Sequence, residues 1–132
     1  MYNIDWNDSY SIVNQEGELL SENTGLIVGA WGGDTVTFLP TDMLHNSQSV
    51  PGLIPSSASS WNGAMNEKIT VELNAEGIYV YQCTPHIALG MIGVIQVGNP
   101  SNIDDIKESV SSLESMIVMN KERVQQYLEL VK

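Results

Sequence analysis

Short segments in which polar and apolar residues alternate recur through the first two thirds of the chain. In "DTVTFL", Val36 and Phe38 share one face, and in "KITVEL" the shared face carries Ile69, Val71 and Leu73. Strict alternation indicates a β-strand with one buried face, because successive side chains point to opposite sides of a sheet. Several such strands separated by turns predict a β-sandwich or barrel.

Further segments extend this pattern. "GIYVYQ" follows a turn at residues 75–77, "MIGVIQV" is an almost continuous apolar strand that ends at residues 98–100, and "YSIV" and "GLIVGA" are earlier strand candidates. Residues 45–67 are rich in Ser, Pro and Gly, which predicts a long loop. We expect Trp61 to pack that loop against the rest of the chain.

The pattern changes to helical spacing after Pro100. Ser101 or Asn102 is the predicted N-cap of a first helix, and its apolar positions are Ile103, Ile106, Val110 and Leu113. A second helix is predicted over residues 113–131, with an apolar stripe that packs on the sandwich and consists of Val124, Tyr127, Leu128 and Val131. We therefore expect one domain over residues 1–132, a sandwich to about residue 99 and helices over 101–132.

The charge balance excludes two classes of partner. The chain has sixteen acidic and five basic residues, a net charge of −11. Nucleic acids and anionic membrane surfaces select clustered Lys and Arg, so neither is an expected partner. The chain has no run of about 18 apolar residues, so the sequence predicts no membrane span. The opening "MYNIDWNDSY" also lacks the basic and apolar regions of a signal peptide.

The only cysteine and one of the two histidines lie in Cys83-x-x-His86-x-x-x-x-Met91. Cys83 ends one predicted strand and Met91 begins the next, so a short loop brings together a thiolate, an imidazole and a thioether. These donors suit copper, which combines a strong thiolate bond, nitrogen donors and a long thioether contact. The second nitrogen donor is the other histidine, His45, just after the strand "TVTFL".

Two alternatives use the same residues. Zinc binds Cys and His, but its usual ligands do not include a thioether. Nucleophilic catalysis by Cys83 and His86 needs a third group that orients the base, and it leaves Met91 without a role. Each residue alone has a simpler interpretation as core or solvent-facing side chain. Their combination at strand ends favours a metal, with copper ahead of zinc.

Two long segments carry a family resemblance. "GDTVTFLPTDMLHN" and "GIYVYQCTPHIALGMIGVIQVGN" resemble the ligand-bearing segments of pseudoazurins, type 1 blue copper proteins of the cupredoxin family. The resemblance implies a mainly β, Greek-key sandwich with two C-terminal α-helices. It also implies one copper ion per chain, held by His45, Cys83, His86 and Met91.

The implied function is one-electron transfer by a soluble, monomeric periplasmic carrier, not an enzyme. Electrons would pass through an exposed edge of His86 to redox proteins such as a cytochrome c or a copper reductase. A copper storage or delivery module without a redox partner is the alternative. The single compact ligand set favours the carrier.

Two residues next to the ligands have expected supporting roles. By resemblance, the backbone N–H of Asn46 donates to the Cys83 sulfur, and the Asn46 side chain ties the two ligand loops together. Pro85 has no N–H to donate, so the sequence predicts one N–H to sulfur bond. Two interpretations apply to Pro85, Met43, Ile87 and Ala88: they form an apolar collar around an exposed edge of the His86 ring, or they simply close the core.

The chain departs from the family around this collar. Met43 and Leu44 stand where the family usually has Lys-Gly. Between residues 40 and 100 the only cation is Lys68. The resulting acidic character has two interpretations: a redox partner with a basic docking face, or a salty habitat that says nothing about partners.

Overall fold

The structure is a computed structural model that describes residues 10–14, 16–18, 26–30, 34–41 and 43–131. Expectations for residues 1–9, and for Gly25 at the start of "GLIVGA", lie outside the described residues. The strands are Tyr10–Val13 (β1), Leu26–Ala30 (β2), Asp34–Pro40 (β3), Gln48–Ser49 (β4), Ile69–Leu73 (β5), Gly77–Gln82 (β6) and Ile92–Val97 (β7). A 3₁₀ helix spans Thr84–Leu89, and the α-helices are Ile103–Glu114 (α1) and Arg123–Glu129 (α2).

The strands form two sheets. The first has the order β1-β3-β5 and is antiparallel throughout. The second has the order β2-β7-β6-β4, in which β2 runs parallel to β7 and the other pairs are antiparallel. The predicted mainly β sandwich followed by two helices is confirmed.

Two layers of apolar side chains hold the fold together. One lies between the sheets and includes Val36, Phe38, Val71, Leu73, Tyr79 and Tyr81. The other lies between the second sheet and the helices and includes Ile78, Val80, Ile92, Val94, Ile106, Val110, Leu113, Val124 and Leu128. Strand β7 is buried on both faces, which explains why "MIGVIQV" shows no alternation.

The long loop over residues 45–67 is confirmed, apart from the two residues of β4. Trp61 is 7 % exposed, and its indole Nε1 donates to the Ser47 hydroxyl at 3.0 Å. The Trp61 N–H also donates to the Ser49 hydroxyl at 2.9 Å. These bonds hold the loop against β4, which pairs with β6, the strand that ends just before Cys83.

The prediction for the second helix is wrong in its extent. Helix α1 continues through Leu113, and α2 begins only at Arg123. Residues 115–122, which we name the interhelical segment, are not helical. Asn120 adopts a left-handed φ of 62°, and the N–H of Val118 donates to the Ala88 carbonyl at 2.8 Å. Tertiary hydrogen bonds therefore replace the helical ones that the periodicity predicted.

Of the two predicted N-cap residues, Asn102 occupies the N-cap position of α1, but its side chain makes no capping hydrogen bond. Its Oδ1 instead accepts from the N–H of Ile78 at 2.6 Å, and its Nδ2 donates to the Ile78 carbonyl at 3.0 Å. The side chain thus fixes the start of α1 to β6. Among the described residues, no helix is long and apolar enough to cross a membrane.

Candidate metal centre

The ends of β6 and β7 position Cys83 and Met91. These strands pair antiparallel up to Gln82 opposite Ile92. One step further, the N–H of Cys83 donates to the Met91 carbonyl at 3.1 Å. Both side chains are fully buried. The sheet therefore sets the two sulfur-bearing residues beside each other.

The 3₁₀ helix between them brings His86 back to the cysteine. Pro85 lies in its first turn, where a fixed φ suits helix entry. The N–H of His86 donates to the Cys83 carbonyl at 3.1 Å. As a result, the Nδ1 of His86 lies 3.3 Å from the Cys83 Sγ. The His86 side chain is half-buried.

His45 reaches the same point from a distant part of the sequence. It follows β3, is 4 % exposed, and places its Nδ1 3.7 Å from the Cys83 Sγ across a sequence separation of 38 residues. The two imidazole centroids are 4.5 Å apart. The ligand atoms of His45, Cys83 and His86 all lie within 4.8 Å of one another.

This donor set fits copper. It presents one thiolate and two imidazole nitrogens at short mutual distances, and among the described residues no carboxylate belongs to the cluster. Soft sulfur and borderline nitrogen donors are those that copper prefers, whereas carboxylate oxygens favour harder cations. The buried Met91 adjoins this cluster through its backbone bond to Cys83. The assignment of all four residues as ligands remains a prediction.

Asn46 ties the two ligand loops together. Its side-chain Oδ1 accepts from the N–H of Thr84 at 2.8 Å and from the Thr84 hydroxyl at 3.0 Å. Its Nδ2 donates to the Gly63 carbonyl at 3.2 Å. The residue after His45 is thereby bonded to the residue after Cys83. Such support orients ligands before a metal binds.

The pKa of the Cys83 thiol lies above its ordinary value, as the balance of two opposing effects. Burial raises the pKa of Cys83, and the backbone N–H groups of Asn46 and His86 lower it by stabilising the thiolate. The N–H of His86 donates to the Cys83 carbonyl at 3.1 Å, and Pro85 has no N–H to donate. The single N–H to sulfur bond, from Asn46, stays a prediction.

Comparison with known proteins agrees with this geometry. Residues 12–98 match the family of copper-binding proteins described as the plastocyanin/azurin family. A pseudoazurin structure from Sinorhizobium is 37% identical, with a TM-score of 0.71 over 86% of this chain and 85% of that chain. The chain belongs to the pseudoazurin family.

Other pseudoazurins give a consistent picture. The structure from Hyphomicrobium denitrificans is 31% identical, with a TM-score of 0.73 over 89% of this chain and 90% of that one. A putative pseudoazurin from Rhizobium leguminosarum bv. viciae is 47% identical over 76 residues, 57% of this chain and 50% of the relative. The Paracoccus pantotrophus pseudoazurin is 38% identical over 81 residues, 61% and 56% of the two chains. This chain thus spans about half the length of the curated pseudoazurins it matches.

Two exposed apolar residues near the site, Leu44 and Val118, were not part of the predicted collar. Met43 is 69 % exposed, Leu44 65 % and Val118 73 %. Leu44 has a positive φ of 71°, a conformation that costs a non-glycine residue about 1–2 kcal/mol. The N–H of Leu44 is bonded to the Asn66 side chain, which holds this turn.

Val118 was missed by the sequence interpretation because it was assigned to a helix. Its N–H bond to Ala88 instead places it beside the 3₁₀ helix of the site. Exposed apolar side chains therefore lie next to both ligand loops of this pseudoazurin fold: Met43 and Leu44 just before His45, and Val118 beside Ala88. A signal was present in the sequence, since adjacent β-branched residues such as Ile117 and Val118 are poor helix formers.

Proposed function

We propose that this protein carries single electrons, using one type 1 copper ion held by His45, Cys83, His86 and Met91. The observation that supports this most directly is the convergence of one thiol sulfur and one nitrogen from each of two imidazoles within 4.8 Å. Bound copper supplies the Cu(I)/Cu(II) couple. A donor set of this kind, with a weak axial thioether, is typical of electron-transfer copper sites.

The surrounding residues suit fast electron transfer. Cys83, His45 and Met91 are buried, so water is excluded from most of the site. Asn46 and the strand ends hold the loops in place, which limits how far the donors move between oxidation states. A small change in ligand geometry between the two oxidation states favours rapid electron transfer. With four donors engaged, no position is left for a substrate, which supports a carrier and not an enzyme.

His86 is the proposed exit for the electron. It is half-buried, whereas the other imidazole, His45, is 4 % exposed. The exposed Met43, Leu44 and Val118 side chains would exclude water from a docked partner around this edge. Their apolar character suits a brief encounter in which two apolar surfaces meet and separate.

The partner and the compartment follow from charge and family resemblance. The net charge of −11 supports a redox partner with a basic docking face, such as a cytochrome c or a copper reductase. The family resemblance supports a soluble monomer in the periplasm. These are the finer parts of the proposal.

Addition of Cu(II) to the copper-free protein tests the function. We expect an intense blue colour that saturates at one ion per chain, disappears on addition of ascorbate and returns on oxidation. Copper should remain bound through the cycle. If the reduced ion passes at once to a weak Cu(I) chelator, the protein is a delivery module and the carrier proposal is wrong.

Salt dependence tests the proposed partner chemistry. The rate of electron transfer to a basic cytochrome c should fall roughly tenfold between about 10 mM and 150 mM salt, because screening shortens the reach of opposite charges. Stopped-flow measurement at several ionic strengths gives this slope. An acidic acceptor of similar potential is the control and should show the opposite trend. A rate that rises with salt for the basic acceptor would rule out the basic docking face.

A further inference from the structure

The interhelical segment contacts the loop between two proposed copper ligands. The N–H groups of Val118 and Met119 both donate to the Ala88 carbonyl, at 2.8 and 2.9 Å. Ala88 lies between His86 and Met91. The segment that interrupts the predicted helix is therefore bonded to the last turn of the 3₁₀ helix.

Two side chains continue this contact along the loop. Asn120 Nδ2 donates to the Leu89 carbonyl at 3.1 Å, and Arg123 Nη1 donates to the Gly90 carbonyl at 2.9 Å. Three consecutive carbonyls just before Met91 thus accept hydrogen bonds from one stretch of the C-terminal region. Arg123 is only 8 % exposed, and burial of a guanidinium is costly unless it is hydrogen-bonded.

The contact is tight at Gly90. This residue has a φ of 77°, and a Cβ placed on it would lie 2.8 Å from the Met119 carbonyl oxygen and 3.0 Å from the Asn120 Cβ. No side chain fits there without displacement of backbone. The loop and the interhelical segment are therefore in direct backbone contact one residue before Met91.

We propose that Asn120 and Arg123 are positioning residues for the Met91 thioether. They hold the backbone before Met91 and so set how closely its sulfur approaches the copper. This inference rests on the proposed function, in which Met91 is the axial ligand. An axial thioether bond is long and weak, so the backbone that carries it, more than the bond itself, determines its length.

The expected consequence is a change in potential. A donor lone pair stabilises Cu(II) more than Cu(I), because Cu(II) carries the larger charge. If the loop relaxes and the thioether moves away, Cu(II) loses more stabilisation and the reduction potential rises. The electron paramagnetic resonance (EPR) spectrum of Cu(II) should change as well, because it depends on the axial field.

The test compares Asn120→Gly and Arg123→Lys with the wild-type chain. Glycine accepts the left-handed φ of residue 120 and removes the donor without a change in charge. Lysine keeps the cation but lacks the planar fork of arginine. The matched control is Gln125→Ala, which removes an exposed bond from Gln125 Nε2 to Glu114 Oε2 at 3.3 Å and does not touch the loop.

Two measurements on each variant decide the question. In the copper-free protein, hydrogen exchange at the Met91 amide, which donates to the His86 carbonyl at 3.3 Å, should be severalfold faster in Asn120→Gly. In the copper-loaded protein, Asn120→Gly should show a higher potential and an altered EPR spectrum. Arg123→Lys should show smaller shifts in the same direction, and Gln125→Ala should show none.

The inference is overturned if potential and EPR spectrum in both variants match those of the control, even where the variants are less stable. It is also overturned if Met91 amide exchange is unchanged in both. A wild-type chain that binds no copper would defeat the proposed function, and the exchange measurement on copper-free protein would still decide whether these side chains hold the loop.

Discussion

Replacement of Cys83 by serine should abolish the blue colour of the copper-loaded protein. The colour requires charge transfer from a thiolate, and Cys83 is the only cysteine of the chain. A serine hydroxyl is a hard, protonated donor that matches copper poorly. Visible absorption after addition of one equivalent of Cu(II) measures the effect, and the loss should be complete.

The matched control is Thr84→Ser at the neighbouring position. Thr84 is exposed, and its hydroxyl bond to Asn46 is one that serine can also make. This variant should remain blue. If the Cys83→Ser protein keeps an intense blue band, the copper assignment of this site is wrong.

Replacement of Gly93 by alanine should destabilise the fold by about 3 kcal/mol, the upper end of the usual cost of overpacking a core. A Cβ on Gly93 would lie 2.3 Å from Tyr81 Cζ and 2.4 Å from its hydroxyl oxygen. Tyr81 lies directly opposite Gly93 in the β6–β7 pair and is fully buried. Because the ring is fully buried, it can move away from the added methyl group only by displacing its packed neighbours.

Urea denaturation of the copper-free protein measures this cost. A double-mutant cycle with Tyr81→Ala gives the control, because the alanine side chain removes the clash. In that background, Gly93→Ala should cost well under half as much. Equal costs in the two backgrounds would show that contact with Tyr81 is not the reason for the glycine.

The strands were predictable because each carries its own pattern. The spacing of Val36, Phe38, Val71 and Leu73 is enough to place them in one layer, as observed. The role of Gly93 was not predictable, because an apolar run such as "MIGVIQV" gives no register. Only the pairing with Tyr81 shows why a glycine stands inside a buried strand.

The metal centre was also partly readable from sequence. Three donors lie in one short segment, and His45 was selected as the only other histidine. The support from Asn46 came from family resemblance, because a side chain that bonds Thr84 across 38 residues leaves no local signal. The single N–H to sulfur bond expected from Asn46 stays a prediction.

The C-terminal region shows that the spacing of apolar residues predicts helices but not where each helix ends. Helical spacing found both apolar stripes but joined them through residues 115–122. That segment is not helical, because its N–H groups and Asn120 bond to the loop before Met91. Tertiary partners of this kind cannot be inferred from spacing alone.

The uneven distribution of the four proposed ligands along the chain has a thermodynamic consequence. Cys83, His86 and Met91 are close neighbours in sequence, whereas His45 is separated from Cys83 by 38 residues. A denatured chain therefore keeps three donors within reach of one ion. Copper that also binds the unfolded chain lowers the free energy of the unfolded state, so the net stabilisation of the native state by copper is smaller. Copper should thus raise the midpoint of thermal unfolding by less than its native affinity alone implies.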